Sequence, residues 1–313
     1  MTIVTAGKSF NDIDAFACAI AYAELLRLEG TDARAVFVGP LNHSVTALAL
    51  EQGGEFATKC VPADGDRFVF VDLSGPDHFA FAPVDESKIA EIYDHHYGFE
   101  NHWKERLGDR SHIERVGAAA TLIWEEVERR GFADRLSAAS VNLLAIATLQ
   151  NTLNFTSSET VDRDRRAFDE LSRRVTMAEG WQDRYFAECA EAIHGNLAEA
   201  IANDTKTLDG YFGDRALVFS QLEITENPAA FLRDNRVAID AHWESAPTAR
   251  HLINLADIRS RSSLLYSDDS AWLSETIAPL FSERVAVDER AFTTAIVQRK
   301  QVLSRLQTKS RIA

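Results

Sequence analysis

The stretch Ile89-Ala90-Glu91-Ile92-Tyr93-Asp94-His95-His96 joins a short apolar segment to a carboxylate and two imidazoles. A segment of this length and composition predicts a buried strand with the polar trio at its carboxyl end. In an open α/β sheet, ligands bind outside the carboxyl ends of the strands. Because two adjacent histidines behind a carboxylate rarely follow a buried strand by chance, we expect this trio to belong to a functional site.

Two other strand-like segments lead into carboxylates. Residues 2–6 precede Asp12 and Asp14, and residues 67–71 run directly into Asp72. A fourth polar cluster is Gln150-Asn151-Thr152. Taken alone, the Asp12 and Asp14 pair would more often be a helix N-cap with a solvated neighbour. Together, the clusters offer ligands for a divalent cation such as Mn²⁺ or Mg²⁺, which in turn holds phosphate oxygens. The ordered set predicts a metal-dependent phosphohydrolase.

The alternation of strand-like and helix-like segments predicts an α/β protein. In the first half it indicates a mostly parallel, helix-covered sheet, and the second half indicates a smaller α/β domain. With 313 residues, two domains are expected, and we place them at residues 1–185 and 194–313, with the site in the cleft between them. The second domain is predicted from strands at 216–219 and 251–255 and from helices at 228–237 and 272–281.

The net charge of −15 argues against a nucleic-acid surface as the main partner, because such surfaces are usually basic. A small phosphate-containing substrate stays compatible with it, since a metal ion and a few lysines make a locally positive site. The three cysteines form no CxxC pair, which fits a reducing compartment. No segment resembles a signal peptide or a membrane span, so we expect a cytoplasmic protein with no membrane partner.

The motifs, in this order, resemble the DHH phosphoesterase superfamily: Asp12-x-Asp14, Asp72, Asp94-His95-His96 and the segment Val116–Thr121. Three later segments, 204–206, 255–258 and 298–301, resemble the C-terminal domain of manganese-dependent inorganic pyrophosphatases and exopolyphosphatases. The resemblance implies a DHH metal-binding catalytic domain followed by a DHHA2-like substrate-binding domain. It suggests pyrophosphate or short polyphosphate as the first substrates to consider.

The resemblance also implies roles for single residues. His96 would contact the substrate phosphate, and Asp94 would orient a neighbouring imidazole by accepting its N–H. The second domain would supply cations for the phosphate: Lys206, Arg299 and Lys300. The N–H groups at residues 117–121 would open a helix and hold a phosphate or cap the site. The implied metal ligands are Asp12, Asp14, Asp72, His95 and Asn151.

Two positions depart from the pyrophosphatase pattern. Lys8 stands where that family has a metal-binding histidine, and Asn151 stands where it has an aspartate. Three aspartates and Lys8 leave a charge of −2, which one divalent ion balances, so the ammonium group of Lys8 would replace the first metal in the catalytic site. The alternative is that Lys8 simply pairs with Asp12. The cofactor is expected to be Mn or Mg, with Co as a further option, and one or two ions.

Other functions stay open at this point. DHH relatives include exonucleases and cyclic-dinucleotide phosphodiesterases, although these generally carry a glycine-rich, histidine-containing loop that this chain lacks. A catalytically degenerate protein that binds a phosphorylated metabolite is the alternative from another class. Whether the chain forms a homodimer also stays open.

Overall fold

The computed structural model describes residues 1–208 and 215–310. The chain divides into two compact units, Met1–Cys189 and Ala190–Ala313. Within the described ranges, none of the helices is long and apolar enough to span a membrane.

The first unit contains a six-stranded sheet in which every described pairing is parallel. The spatial order is β3-β2-β1-β4-β5-β6, so the chain crosses from one side of β1 to the other between β3 and β4. The neighbours β1 and β4 therefore form a topological switch point, where ligands bind in open α/β sheets. The strands are β1 (Thr2–Thr5), β2 (Ala33–Val36), β3 (Phe56–Ala57), β4 (Arg67–Val71), β5 (Ile89–Asp94) and β6 (Ser111–Ile113).

Both faces of this sheet are covered, as expected for a parallel sheet. Because side chains alternate along a strand, Val69 and Val71 of β4 belong to one apolar core, and Phe68 and Phe70 belong to another. The Phe70 ring stacks on Phe79 with 3.7 Å between the ring centroids. The helices of this part of the chain are α1 (Ile13–Leu28), α2 (Ala47–Glu51), α3 (Glu100–Leu107), α4 (Ala119–Arg129), α5 (Ala138–Asn151), α6 (Asp162–Ser172) and α7 (Trp181–Gly195).

The second unit contains another six-stranded sheet, with the order β11-β12-β10-β9-β8-β7. Only the pairing of β8 with β9 is parallel among the described pairs; the others are antiparallel. Its strands are β7 (Thr205–Leu208), β8 (Leu217–Ile224), β9 (Arg250–Asp257), β10 (Ser262–Ser267), β11 (Arg284–Asp288) and β12 (Ala291–Ala295). Its helices are α8 (Leu197–Ala202), α9 (Pro228–Trp243), α10 (Ser270–Trp272) and α11 (Arg299–Ser310).

The predicted β8-α9-β9 unit is present, and the segment expected as a helix at 272–281 is helical to Leu280 but is mostly not a regular α-helix. Helix α10 ends at Trp272, and a wider helical turn, Leu273–Ile277, and a short 3-10 turn, Ala278–Leu280, follow it. Pro279 lies in the 3-10 turn. Because proline has no backbone N–H and its ring crowds the preceding turn, a regular α-helix does not continue through it.

Candidate metal centre

Asp72 and His95 meet at the carboxyl ends of the neighbouring strands β4 and β5. His95 Nε2 lies 3.1 Å from Asp72 Oδ1 and 3.9 Å from Asp14 Oδ2. His96 Nδ1 lies 3.9 Å from Asp72 Oδ1, and one ligand atom from each of Asp72, His95 and His96 lies within 4.8 Å of the others. Asp14 and His95 are buried, and Asp72 is 9% exposed. The structure thus brings together side chains from three separate polar clusters.

The hydrogen bond between His95 and Val116 indicates the tautomer of the neutral His95 ring. His95 Nδ1 lies 3.2 Å from the carbonyl oxygen of Val116. A carbonyl oxygen only accepts, so this contact assigns the proton of a neutral His95 to Nδ1. In this neutral form the Nε2 lone pair faces Asp72 and Asp14, and a bound cation would relieve the repulsion between these groups. A set of carboxylate oxygens and an imidazole suits a divalent ion such as Mn²⁺ or Mg²⁺.

Asp14 is held from the opposite side by backbone N–H groups. Ala119 N donates to its Oδ2 at 2.7 Å and Ala120 N to its Oδ1 at 2.8 Å. Burial and the nearby charge of Asp72 raise the pKa of Asp14 to about 8, although His95 and the N–H of Ala119 act in the opposite direction. A bound cation reverses this effect, because it favours the ionised carboxylate.

Asp12 begins helix α1 as its N-cap. Its Oδ1 accepts the N–H groups of Asp14 and Ala15, both at 3.0 Å. Asp12 is therefore a helix N-cap, as such a pair of aspartates alone would suggest. Because these bonds use one oxygen of the carboxylate, the capping role and a role as a metal ligand are compatible.

Asp94 orients the second histidine. Its Oδ1 lies 2.8 Å from His96 Nδ1 and accepts the backbone N–H groups of His95 and His96. Burial alone would raise the pKa of Asp94, but the charge and hydrogen bond of His96, with His95 and Ser74, lower it to about 2. Asp94 is therefore ionised at neutral pH and holds the half-buried His96 ring through Nδ1.

The backbone of Asp72 adopts a conformation that few residues tolerate. Its φ is +57°, and its N–H donates to the carbonyl oxygen of Tyr93 at 2.8 Å. Left-handed conformations of residues other than glycine cluster at functional sites, and aspartate and asparagine adopt them most readily. The turn directs the Asp72 carboxylate at His95.

Helix α4 begins at Ala119, as expected, and its first N–H groups bind carboxylates rather than lying open to a phosphate. Of the two expected roles, the structure therefore supports capping the site. The N–H of Gly117 donates to Asp164 Oδ2 at 2.8 Å, and the N–H of Ala118 lies 3.4 Å from its Oδ1. The next two N–H groups bind Asp14, as described above. Asp164 was missed because it lies in a charged helical stretch that indicates a solvated face, and its partners are 43 to 47 residues away.

Asn151 and Lys8 lie in different settings. Asn151 is the last residue of α5, and the methyl carbon of the next residue, Thr152, packs against Gly117. The Lys8 side chain is exposed and lines a groove together with Asp77, Phe79 and Glu86. Among the described residues, no carboxylate oxygen lies within 4.0 Å of the Lys8 ammonium group. The simple pairing of Lys8 with Asp12 is thus not formed.

Of the cations predicted in the second unit, Arg299 is bound to the backbone beside Lys206. The buried Arg299 guanidinium bonds to Asp204 Oδ1 and to the Asp204 carbonyl oxygen, both at 2.7 Å. It also donates to the carbonyl oxygen of Phe219, which is the cross-strand partner of Lys206. Lys300 follows Arg299 in the first turn of α11. Arg299 therefore has a structural ion pair at the position where resemblance implied a phosphate contact.

Comparisons with known proteins extend over nearly the whole chain. No family model matches it. It is 25% identical over 307 residues to a probable manganese-dependent inorganic pyrophosphatase of Lactobacillus delbrueckii subsp. bulgaricus, and the alignment covers 94% of both chains. A protein of the same name from an Exiguobacterium species is 28% identical over 255 residues, which cover 80% of this chain and 79% of the relative.

A solved structure shares the fold. The crystal structure of a Methanococcus jannaschii protein, provisionally described as a family II inorganic pyrophosphatase, matches with a TM-score of 0.74 and 20% identity, covering 98% of this chain and 99% of that chain. As the motifs predict, the chain resembles the manganese-dependent inorganic pyrophosphatases of the DHH superfamily and has the family II fold.

Proposed function

We propose that this protein is a metal-dependent phosphohydrolase whose substrate is a small phosphoanhydride or phosphoester, with pyrophosphate or short polyphosphate first. The relatives, named manganese-dependent inorganic pyrophosphatases, support the general class. At 25% and 28% identity they leave the particular substrate to experiment.

The observation that carries the proposal is the contact of His95 Nε2 with Asp72 Oδ1 at 3.1 Å, behind an Nδ1–H donated to Val116. The buried Asp14 carboxyl group lies on the same side and becomes a second negative group when a cation displaces its proton. A cation between these groups relieves the repulsion, and the ligand types suit Mn²⁺ first, with Mg²⁺ or Co²⁺ as alternatives. We assign Asp12, Asp14, Asp72, His95 and Asn151 to hold one or two ions.

A bound divalent ion would lower the pKa of a water molecule and neutralise phosphoryl oxygens. Around it, we assign His96, whose Nδ1 lies against Asp94, to contact a substrate phosphate. Asp94 is thus placed to keep the His96 ring in one orientation. Lys8 is assigned as a further cation of the catalytic site, since it stands four residues before Asp12.

The second unit would supply further phosphate contacts through Lys206 and Lys300, beside Arg299, whose guanidinium holds Asp204. Lys206 lies on β7, and its partner residue on β8 accepts a hydrogen bond from Arg299. Neighbouring cations of this kind suit an anion with several oxygens, because each oxygen accepts a charge-assisted hydrogen bond.

The test is phosphate release from pyrophosphate, tripolyphosphate, a simple phosphomonoester and a linear dinucleotide, each with Mn²⁺, Mg²⁺ or Co²⁺ or with a chelator. We expect metal-dependent release, with pyrophosphate or tripolyphosphate turned over fastest. Faster cleavage of the dinucleotide would favour a phosphodiesterase. Metal binding without turnover of any substrate would favour a phosphometabolite-binding protein and would contradict the proposal.

A further inference from the structure

We propose that Asp164 is a positioning residue that sets two of the metal ligands through the backbone segment Val116–Ala120. This inference rests on the proposed function, because it concerns the ligands assigned there. Asp164 is fully buried in helix α6 and belongs to none of the polar clusters that the sequence motifs define.

The segment Val116–Ala120 contacts both ligands directly. The carbonyl oxygen of Val116 accepts from His95 Nδ1 and so presents Nε2 to the carboxylates. Three residues later, Ala119 and Ala120 donate their N–H groups to the two oxygens of Asp14. A displacement of this short segment would therefore turn His95 and Asp14 at the same time.

Asp164 binds the chain between these two contact points, at Gly117, and directly after them, at Thr121. Its Oδ2 accepts the N–H of Gly117 at 2.8 Å, and its Oδ1 accepts the hydroxyl of Thr121 at 2.6 Å. The same carboxylate accepts the N–H of Val161 at 2.8 Å, which ties the contact to the start of its own helix. A charged acceptor for several N–H and O–H donors holds the backbone more strongly than a neutral one.

Gly117 shows how closely the carboxylate approaches. A Cβ atom at this position would lie 2.8 Å from Asp164 Oδ2 and 2.8 Å from the methyl carbon of Thr152. Thr152 directly follows Asn151, so the end of helix α5 packs against the same point. Glycine is thus required here by the close approach of Asp164 and Thr152.

The test compares Asp164→Asn with Asp162→Asn. Asp162 is an exposed carboxylate in the first turn of the same helix, so the control changes the same charge without touching the segment. We expect Mn²⁺ affinity, measured by calorimetry, to fall about 10–100-fold in Asp164→Asn, as for other groups that orient metal ligands, and to stay within about 2-fold in Asp162→Asn. Amide hydrogen exchange across residues 116–121 should accelerate only in Asp164→Asn.

A milder pair guards against loss of folding. Thr121→Val removes one donor to Asp164 and keeps the shape of the side chain, whereas Thr121→Ser keeps the hydroxyl. We expect weaker Mn²⁺ binding in Thr121→Val and recovery in Thr121→Ser. If the unaltered protein binds Mn²⁺ and both Asp164→Asn and Thr121→Val bind it equally well, this inference is overturned and the proposed function is not. Absence of Mn²⁺ binding by the unaltered protein would overturn the proposed function, and the inference with it.

Discussion

The carboxylate of Asp72 and the imidazole of His95 face each other at 3.1 Å, from the ends of two adjacent parallel strands. The sheet order explains the encounter, because β4 lies between β1 and β5, and the residues that follow these three strands meet at one edge. The Nδ1–H of His95 is directed at Val116, so Nε2, the nitrogen that faces Asp72, is the one that we assign as a metal ligand. The following predictions test this geometry and the roles assigned to it.

Asp72→Asn should abolish metal-dependent phosphate release with little effect on folding. Asparagine tolerates the left-handed conformation at φ +57°, so the variant removes the charge without straining the backbone. We expect turnover to fall by more than about 100-fold. Loss of a residue that only hydrogen-bonds to a metal ligand typically costs ~10–100-fold in activity. Thermal melts in a chelator should show a melting temperature close to that of the unaltered protein. Near-normal turnover would remove Asp72 from the site.

Mn²⁺ binding should release protons and become tighter as pH rises toward 8. The pKa of Asp14 is raised from 3.8 to about 8 in the folded chain, so its contribution to stability is present below 3.8 and is lost as pH rises through about 8. A metal ion displaces this proton, and at pH 7 about one proton should leave with each ion at this carboxylate. Calorimetry in two buffers of different ionisation enthalpy measures the number. Binding that is independent of pH between 6 and 8 would contradict this picture of Asp14.

The site was more predictable from the sequence than the second sheet. Asp72 and His95 each follow an apolar run, and the rule for strand ends then places them together. Strand β11 carries no such signal, because all five of its residues, Arg284–Asp288, are exposed and nothing in their pattern marks a buried face. The roles of Asp164 and Arg299 were not predicted for a different reason. Asp164 binds Gly117, 47 residues away, and Arg299 binds Asp204, 95 residues away, and only the folded chain shows these contacts.

Asp94→Asn should lower stability at neutral pH but not in strong acid. The folded-state pKa is depressed from 3.8 to about 2, so this stabilisation is present above 3.8 and is lost as pH falls through about 2. The shift corresponds to roughly 2 kcal/mol at neutral pH. Melting temperatures in a chelator should differ most above pH 5 and converge below pH 3. Asp32→Asn, at an exposed carboxylate, is the control and should show no such gap.

Lys206→Ala and Arg299→Ala should have different effects. Removing Arg299 leaves Asp204 as a buried, unpaired charge, which costs roughly 3–5 kcal/mol of folding free energy. Lys206 is only partly buried on β7, so its loss should weaken substrate use by about 10-fold or more and leave Mn²⁺ affinity intact. Kinetics, calorimetry and thermal melts on both variants separate the effects. If Lys206→Ala weakened Mn²⁺ binding as much as substrate use, Lys206 would not be a phosphate contact.

The double change Lys8→His with Asn151→Asp should raise the number of bound metal ions. Three aspartates and Lys8 give the charge of −2 that one divalent ion balances, so the unaltered protein should retain about one ion per chain after dialysis. The double variant restores an imidazole and a carboxylate, and its content should rise toward two. Lys8 is exposed and has no carboxylate partner among the described residues, so its replacement breaks no ion pair.

Each single variant serves as a control for the double one. Lys8→His alone supplies a ligand and removes a positive charge, whereas Asn151→Asp alone supplies a charge at the end of α5. We expect each single variant to raise the metal content less than the double variant, because a second ion needs both the imidazole at position 8 and the carboxylate at position 151. A gain of pyrophosphate turnover in the double variant would follow from the second ion, which helps to activate the attacking water. Two equivalents of tightly bound metal in the unaltered chain would show that Lys8 does not replace an ion.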